Sequence, residues 1–135
     1  MSALLNAPQR EAIRYLDGPC LVLAGAGSGK TRVITHKIAH LINECGLSPN
    51  NIAAITFTNK AAKEMQERVA HIMGGRTPGG LTLCTFHALG VRIIRQEAVH
   101  CGLKPQFSIL DASDTVQIVS DVAGESDKGI AKQMQ

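Results

Sequence analysis

The chain has 135 residues, the size of one ordinary domain, and 44% of them are hydrophobic, so a real core is affordable. Aromatics are only 3% and tryptophan is absent, which makes that core aliphatic. Fourteen Lys plus Arg against eleven Asp plus Glu leave a formal charge of +3, which permits an anionic partner but does not demand one, since a strongly electrostatic nucleic-acid binder is usually more lopsided.

Asn6 is a good helix N-cap, Pro8 fits a first turn, and Asn6 with Gln9 makes a capping-box variant. The helix should run to about residue 16 and stop at "DGP". The opening "MSALLNAPQREAIRYL" lacks a basic segment followed by a long apolar one, so it does not read as a secretory signal. Residues 20–24 are a short continuous apolar run, as expected of a strand buried on both faces. Residues 30–45 carry Val33, Ile34, Ile38, Leu41 and Ile42 at helical spacing, and Gly46 supplies the stop. Residues 52–57 form a second buried-strand candidate. Residues 60–73 return to helical spacing before Gly74 and Gly75. Residues 81–85 read as a third strand, and 87–101 as a helix closed by Gly102. Residues 107–110 are weakly extended, and Asp111 or Ser113 caps a last helix to about 123. The tail "GESDKGIAKQMQ" has no apolar face of its own.

Strand and helix alternate three times, which argues for an α/β fold: a parallel sheet flanked by helices. Three strands make a small sheet, so the chain reads as a fragment of a larger domain. Cys20, Cys45, Cys84 and Cys101 show no C-x-x-C pairing, which gives no zinc or redox motif and reads as free, small core thiols. No apolar run approaches membrane-spanning length. His36, His40, His71 and His100 read as exposed helix histidines; His36 and His40 are four apart, but no H-E-x-x-H motif accompanies them.

"LVLAGAGSGKTRVI" carries the chemistry. A parallel sheet binds ligands beyond the carboxyl ends of its strands, where Ala24, Gly25, Ala26, Gly27, Ser28, Gly29, Lys30 and Thr31 fall. Glycines let successive N–H groups turn inward as an anion nest, and the next helix adds the positive end of its dipole. Lys30 supplies a full charge for the outer phosphates, and the Thr31 hydroxyl can ligate Mg²⁺. The motif is G-x-x-x-x-G-K-[ST] with Ala24 in place of the first glycine. It marks nucleotide binding, a class that spans kinases, switches, transporters and motors.

Three further stretches narrow the class. "LLNAPQREAI" precedes the first strand, "ITFTNKAAKEM" follows the second, and "TFHALG" follows the third. With "AGAGSGKT" they resemble the UvrD/Rep/PcrA family of superfamily 1 DNA helicases over about residues 4 to 123, with a slight lean toward its Rep-like members. The resemblance implies the N-terminal part of a RecA-like ATP-binding domain, called 1A, in residues 1–123. Residues 124–135 would open an inserted helical subdomain, 1B, or form a disordered tail. Gln9, a plain capping residue by its own chemistry, would read the adenine base. Arg32 matches a position near the nucleotide, though a solvated helix arginine explains it equally well. Phe57, Thr58 and Asn59, with Phe86 and His87, match the track of single-stranded DNA. Aromatic stacking and short polar groups suit that role. On the residues alone, Phe57 and Phe86 would instead fill the core, while Asn59 and His87 would cap helices.

The implied protein is a cytoplasmic ATP-dependent helicase using ATP and Mg²⁺. It would move 3′ to 5′ on single-stranded DNA, unwind duplex junctions, and meet replication or repair proteins through other regions. Hydrolysis also needs a metal-binding carboxylate, a water-orienting base and usually an arginine finger. "FSILDASD" is the nearest candidate and lacks the acidic pair. Three alternatives remain: the helicase subunit of a helicase-nuclease, a non-motor P-loop module, and a small-molecule kinase.

Overall fold

The computed structural model describes residues 5–123. Contacts divide the chain into residues 1–91 and 92–135, with helix α4 (Phe86–Gln96) running across the division.

The first unit begins with α1 (Ala7–Arg14). Its start is the predicted capping box: the Asn6 side chain accepts from the Gln9 N–H at 2.9 Å, and the Gln9 side chain accepts from the Asn6 N–H at 3.0 Å. Then come α2 (Lys30–Asn43), β1 (Ala53–Thr56), α3 (Asn59–Ile72) and β2 (Thr82–Thr85). β1 and β2 are parallel, with Ala53 opposite Thr82 and Thr56 opposite Thr85. α3 is the crossover that parallel neighbours require.

The core lies where α2 and α3 meet the sheet. Ile38, Ile52, Ala54, Met65, Val69 and Leu83 form its buried cluster, and Leu41, Ile42, Met73 and Leu81 pack around it. Met65 and Val69 are one turn apart on α3, so a single stripe of that helix enters the core. Gln66 beside them donates to the Leu83 carbonyl at 3.1 Å and ties the helix to β2.

The strand expected at residues 20–24 does not form. That segment has no strand assignment, and Leu21 and Leu23 are 84% and 85% exposed. The sheet therefore has two strands rather than three. The physical reason is pairing: a strand exists only through a hydrogen-bonded neighbour, and among the described residues none lies beside this segment. The cysteines also depart from expectation. None is buried; Cys20 and Cys101 are exposed, and Cys45 and Cys84 are half-buried.

In the second unit α4 ends at Gln96, five residues short of the expected end. Residues 97–101 wind into turns, with the Leu103 N–H on the Ala98 carbonyl at 2.8 Å and Gly102 left-handed at φ 68°. Arg95 lies over the Phe107 ring at 5.8 Å. Residues 107–110 form no strand. α5 (Ala112–Ala123) is capped by Asp111, whose carboxylate accepts from the Asp114 N–H at 2.8 Å and from the Ser113 hydroxyl. Those bonds hold the Asp111 carboxyl below its ordinary range, the Ser113 hydroxyl contributing most. Asp111 is thus a helix cap. Residues 124–135, expected to open an inserted subdomain, lie outside the described residues. No described helix is long and apolar enough to cross a membrane.

Candidate functional site

The loop from Ala24 to Gly29 reaches α2 through two left-handed glycines, Gly27 at φ 75° and Gly29 at φ 86°. Gly29 is the N-cap of α2 and has no side chain to offer, so no side-chain cap bond closes the helix start. The first-turn N–H groups, at Lys30, Thr31 and Arg32, are therefore donors without a helical acceptor. Together with the helix dipole they form a place for an anion.

Lys30 reaches back across this loop. Its Nζ donates to the Ala24 carbonyl at 3.0 Å and to the Gly25 carbonyl at 2.8 Å. The Ser28 hydroxyl donates to the Gly25 carbonyl at 2.6 Å. The ammonium is thus aimed at the inside of the loop and held there by groups that a phosphate oxygen can replace. Ala26 and Gly27 complete the exposed rim, and Thr31 follows half-buried on the helix.

Gln9 belongs to the same place. Its Nε2 donates to the Ser28 carbonyl at 3.1 Å across 19 residues of sequence, while its Oε1 still serves the cap of α1. The capping role and the place beside the loop therefore coexist. The fit is tight: a Cβ at Gly29 would stand 2.9 Å from Gln9 Nε2.

Arg32 follows the loop in the first turn of α2. It lines a cavity of about 410 Å³ between α2 and α3, with Thr35, His36 and Arg68 among its neighbours. Burial and, secondarily, the Arg32 charge lower the His36 pKa. His36 and His40 are half-buried rather than exposed, and the His40 Nδ1 stands 3.7 Å from Glu44. Among the described residues no three His, Cys, Asp or Glu side chains gather as metal ligands.

The second cluster sits where β1 and β2 end. Thr56 and Thr85 are register partners, so Phe57 and Phe86 leave the sheet side by side. Both are open to solvent, Phe57 at 85% and Phe86 at 63% exposure. Neither fills the core. Nor are the caps those expected. Thr58, not Asn59, caps α3 by accepting from the Ala61 N–H at 3.1 Å. Thr85, not His87, accepts from the Ala88 N–H at 3.2 Å at the start of α4. Asn59 and His87 stay exposed in the first turns of their helices.

One residue escaped sequence reasoning. Lys37 donates from Nζ to the Ala12 carbonyl at 3.0 Å and to the Tyr15 carbonyl at 2.6 Å, tying α1 to α2. The available signal was its position about two turns after Lys30, on the same helix face.

The chain matches the UvrD/REP helicase N-terminal domain over residues 5–135 and belongs to that family. It is 50% identical over 133 residues to the ATP-dependent DNA helicase Rep of Escherichia coli, covering 96% of this chain and 20% of the relative. The same figures hold for Rep of Salmonella typhimurium. Against the ATP-dependent DNA helicase PcrA of Staphylococcus epidermidis it is 50% identical over 118 residues, 87% of this chain and 16% of the relative. The chain thus spans about a fifth of the length of the curated relatives it matches.

Proposed function

We propose that this chain is the N-terminal ATP-binding part of an ATP-dependent DNA helicase, built on a P-loop, RecA-like sheet. One observation carries the proposal: Lys30 bridges the Ala24 and Gly25 carbonyls over a loop whose helix start offers unpaired N–H groups. A triphosphate tail would take the place of those carbonyls. Residues 24 to 32 would surround it, with main-chain N–H groups on the phosphates and Lys30 on the outermost ones. The donor set suits Mg²⁺ bound together with ATP: the Thr31 hydroxyl supplies one hard oxygen ligand and phosphate oxygens supply others. Bound metal would neutralise charge at the phosphates.

Gln9 would read the base. Its amide can donate and accept together, which suits adenine's amino group and ring nitrogen. Its link to Ser28 would report phosphate-loop geometry to the base end. Arg32, in the first turn of α2, would lie near the nucleotide. Phe57, Thr58, Asn59, Phe86 and His87 would form one edge of a track for single-stranded DNA, with the two rings as stacking surfaces. The metal-binding carboxylate, the water-orienting base and the arginine finger are assigned to the part of the relatives' length that this chain does not span. The whole protein is proposed to translocate 3′ to 5′, unwind duplex and serve DNA replication or repair in the cytoplasm.

The deciding measurement is DNA-stimulated ATP hydrolysis by the full-length protein. Lys30→Ala is expected to lower kcat by roughly a hundredfold or more, since it removes the charge that meets the transferring phosphate. An unchanged rate would refute the assignment of the loop.

A further inference from the structure

We propose that Lys37 is a positioning residue for base recognition: by clamping the last turn of α1 onto α2, it holds Gln9 against the phosphate loop. The inference rests on the reading of Gln9 given above. α1 is only eight residues long, from Ala7 to Arg14, and it is fastened at both ends to the loop-helix unit. At its N-terminus, Gln9 Nε2 bonds the Ser28 carbonyl. At its C-terminus, Lys37 Nζ bonds the carbonyls of Ala12 and Tyr15.

The chemistry favours this clamp. The last carbonyls of a helix have no intrahelical donor and lie at the negative end of its dipole. An ammonium there satisfies two acceptors at once, and the Lys37 side chain is half-buried, so the carbonyls stand in for water it has lost. Lys30 and Lys37 project from one face of α2. One gathers the phosphate loop and the other gathers α1. The exposed bond from Gln9 to Ser28 is by itself weak. With α1 free to swing, base binding would have to order it first, and that ordering would subtract from affinity.

The test uses the full-length protein without DNA and measures Kd for ATP, GTP and inorganic tripolyphosphate. Lys37→Met is expected to weaken ATP about fivefold, the size of one neutral hydrogen bond, and to leave tripolyphosphate within about twofold. Lys37→Arg, which keeps the donors, is expected to restore ATP binding. Adding Lys37→Met to Gln9→Ala is expected to cost nothing further, because both act through one contact. Equal weakening of ATP and tripolyphosphate would show a general structural role and overturn the inference, as would unchanged ATP affinity or additive losses. If Lys37→Met does not fold, Lys37→Gln, too short to span both carbonyls, takes its place with the same expected outcomes. Gln9→Ala alone separates the two levels. If it leaves the preference for ATP over GTP intact, the reading of Gln9 fails. If it abolishes that preference while Lys37→Met changes nothing, only the clamp fails.

Discussion

At the residue scale the loop before α2 turns on Gly29 as well as on Lys30. Gly29 sits at φ 86°, where an L side chain is strained, and its missing Cβ leaves room for the Gln9 amide. Gly29→Ala is expected to cost about 1–2 kcal/mol in backbone strain, read as a lower Tm, and to weaken ATP binding further by displacing Gln9. His36 gives a pH signature. Its pKa is lowered in the folded state, so the unfolded chain binds the proton more readily. Its contribution is therefore present above the ordinary histidine range and lost as pH falls through the folded value. Denaturant titrations between pH 7 and 5 are expected to show a shallower loss of stability in His36→Gln than in the wild type. Lys30 and Gly29 were legible in the sequence because a glycine-rich turn before a lysine is a local device. The choice of Thr58 over Asn59 as a cap was not, since it turns on a one-residue shift of the helix start.

At the element scale, α3 joins the Phe57 end of β1 to the core. Its N-terminus follows the exposed Phe57, and its buried stripe holds the sheet. Thr58→Ala is expected to lower stability by about 1 kcal/mol through loss of the cap. Met65 is 3% exposed in the core cluster, and Met65→Ala is expected to cost about 2–5 kcal/mol by chemical denaturation. The pair Phe57 and Phe86 behaves differently, because both rings face solvent and their removal leaves no cavity. Phe57→Ala and Phe86→Ala are each expected to weaken single-stranded DNA binding by about 1–3 kcal/mol in the full-length protein, with Tm and ATP affinity unchanged. A fall in Tm without a loss of DNA affinity would assign the rings to packing. Helical periodicity made α2 and α3 readable, and "TFTN" and "TFHA" marked the strand ends. That both phenylalanines stay outside the core was unreadable, since an apolar side chain at a strand end suits either side.

At the scale of the whole molecule the open segment at residues 20–24 stands out. Leu21 and Leu23 are apolar, exposed and without a strand partner among the described residues. In a protein of the relatives' length, a neighbouring strand is expected to pair with this segment. The amides of Leu21 and Leu23 should then exchange with solvent slowly in the full-length protein and rapidly in the isolated 135-residue chain, by mass-spectrometric hydrogen exchange. On the proposed function, the isolated chain is also expected to show no steady-state ATP hydrolysis, because the water-orienting base is there assigned to a part of the relatives' length that this chain does not span. Sequence alone determined what acts over a few residues: the capping box at Asn6 and Gln9, the amphipathic stripes of α2 and α3, and the glycine loop ending in Lys30 and Thr31. Each of these is set by neighbours within about one helical turn. Only the tertiary structure decided which extended runs found partners and which did not. It alone brought Gln9 to Ser28 and Lys37 to Ala12 and Tyr15, because those contacts join residues far apart in the chain, and no local pattern records where a distant carbonyl will lie.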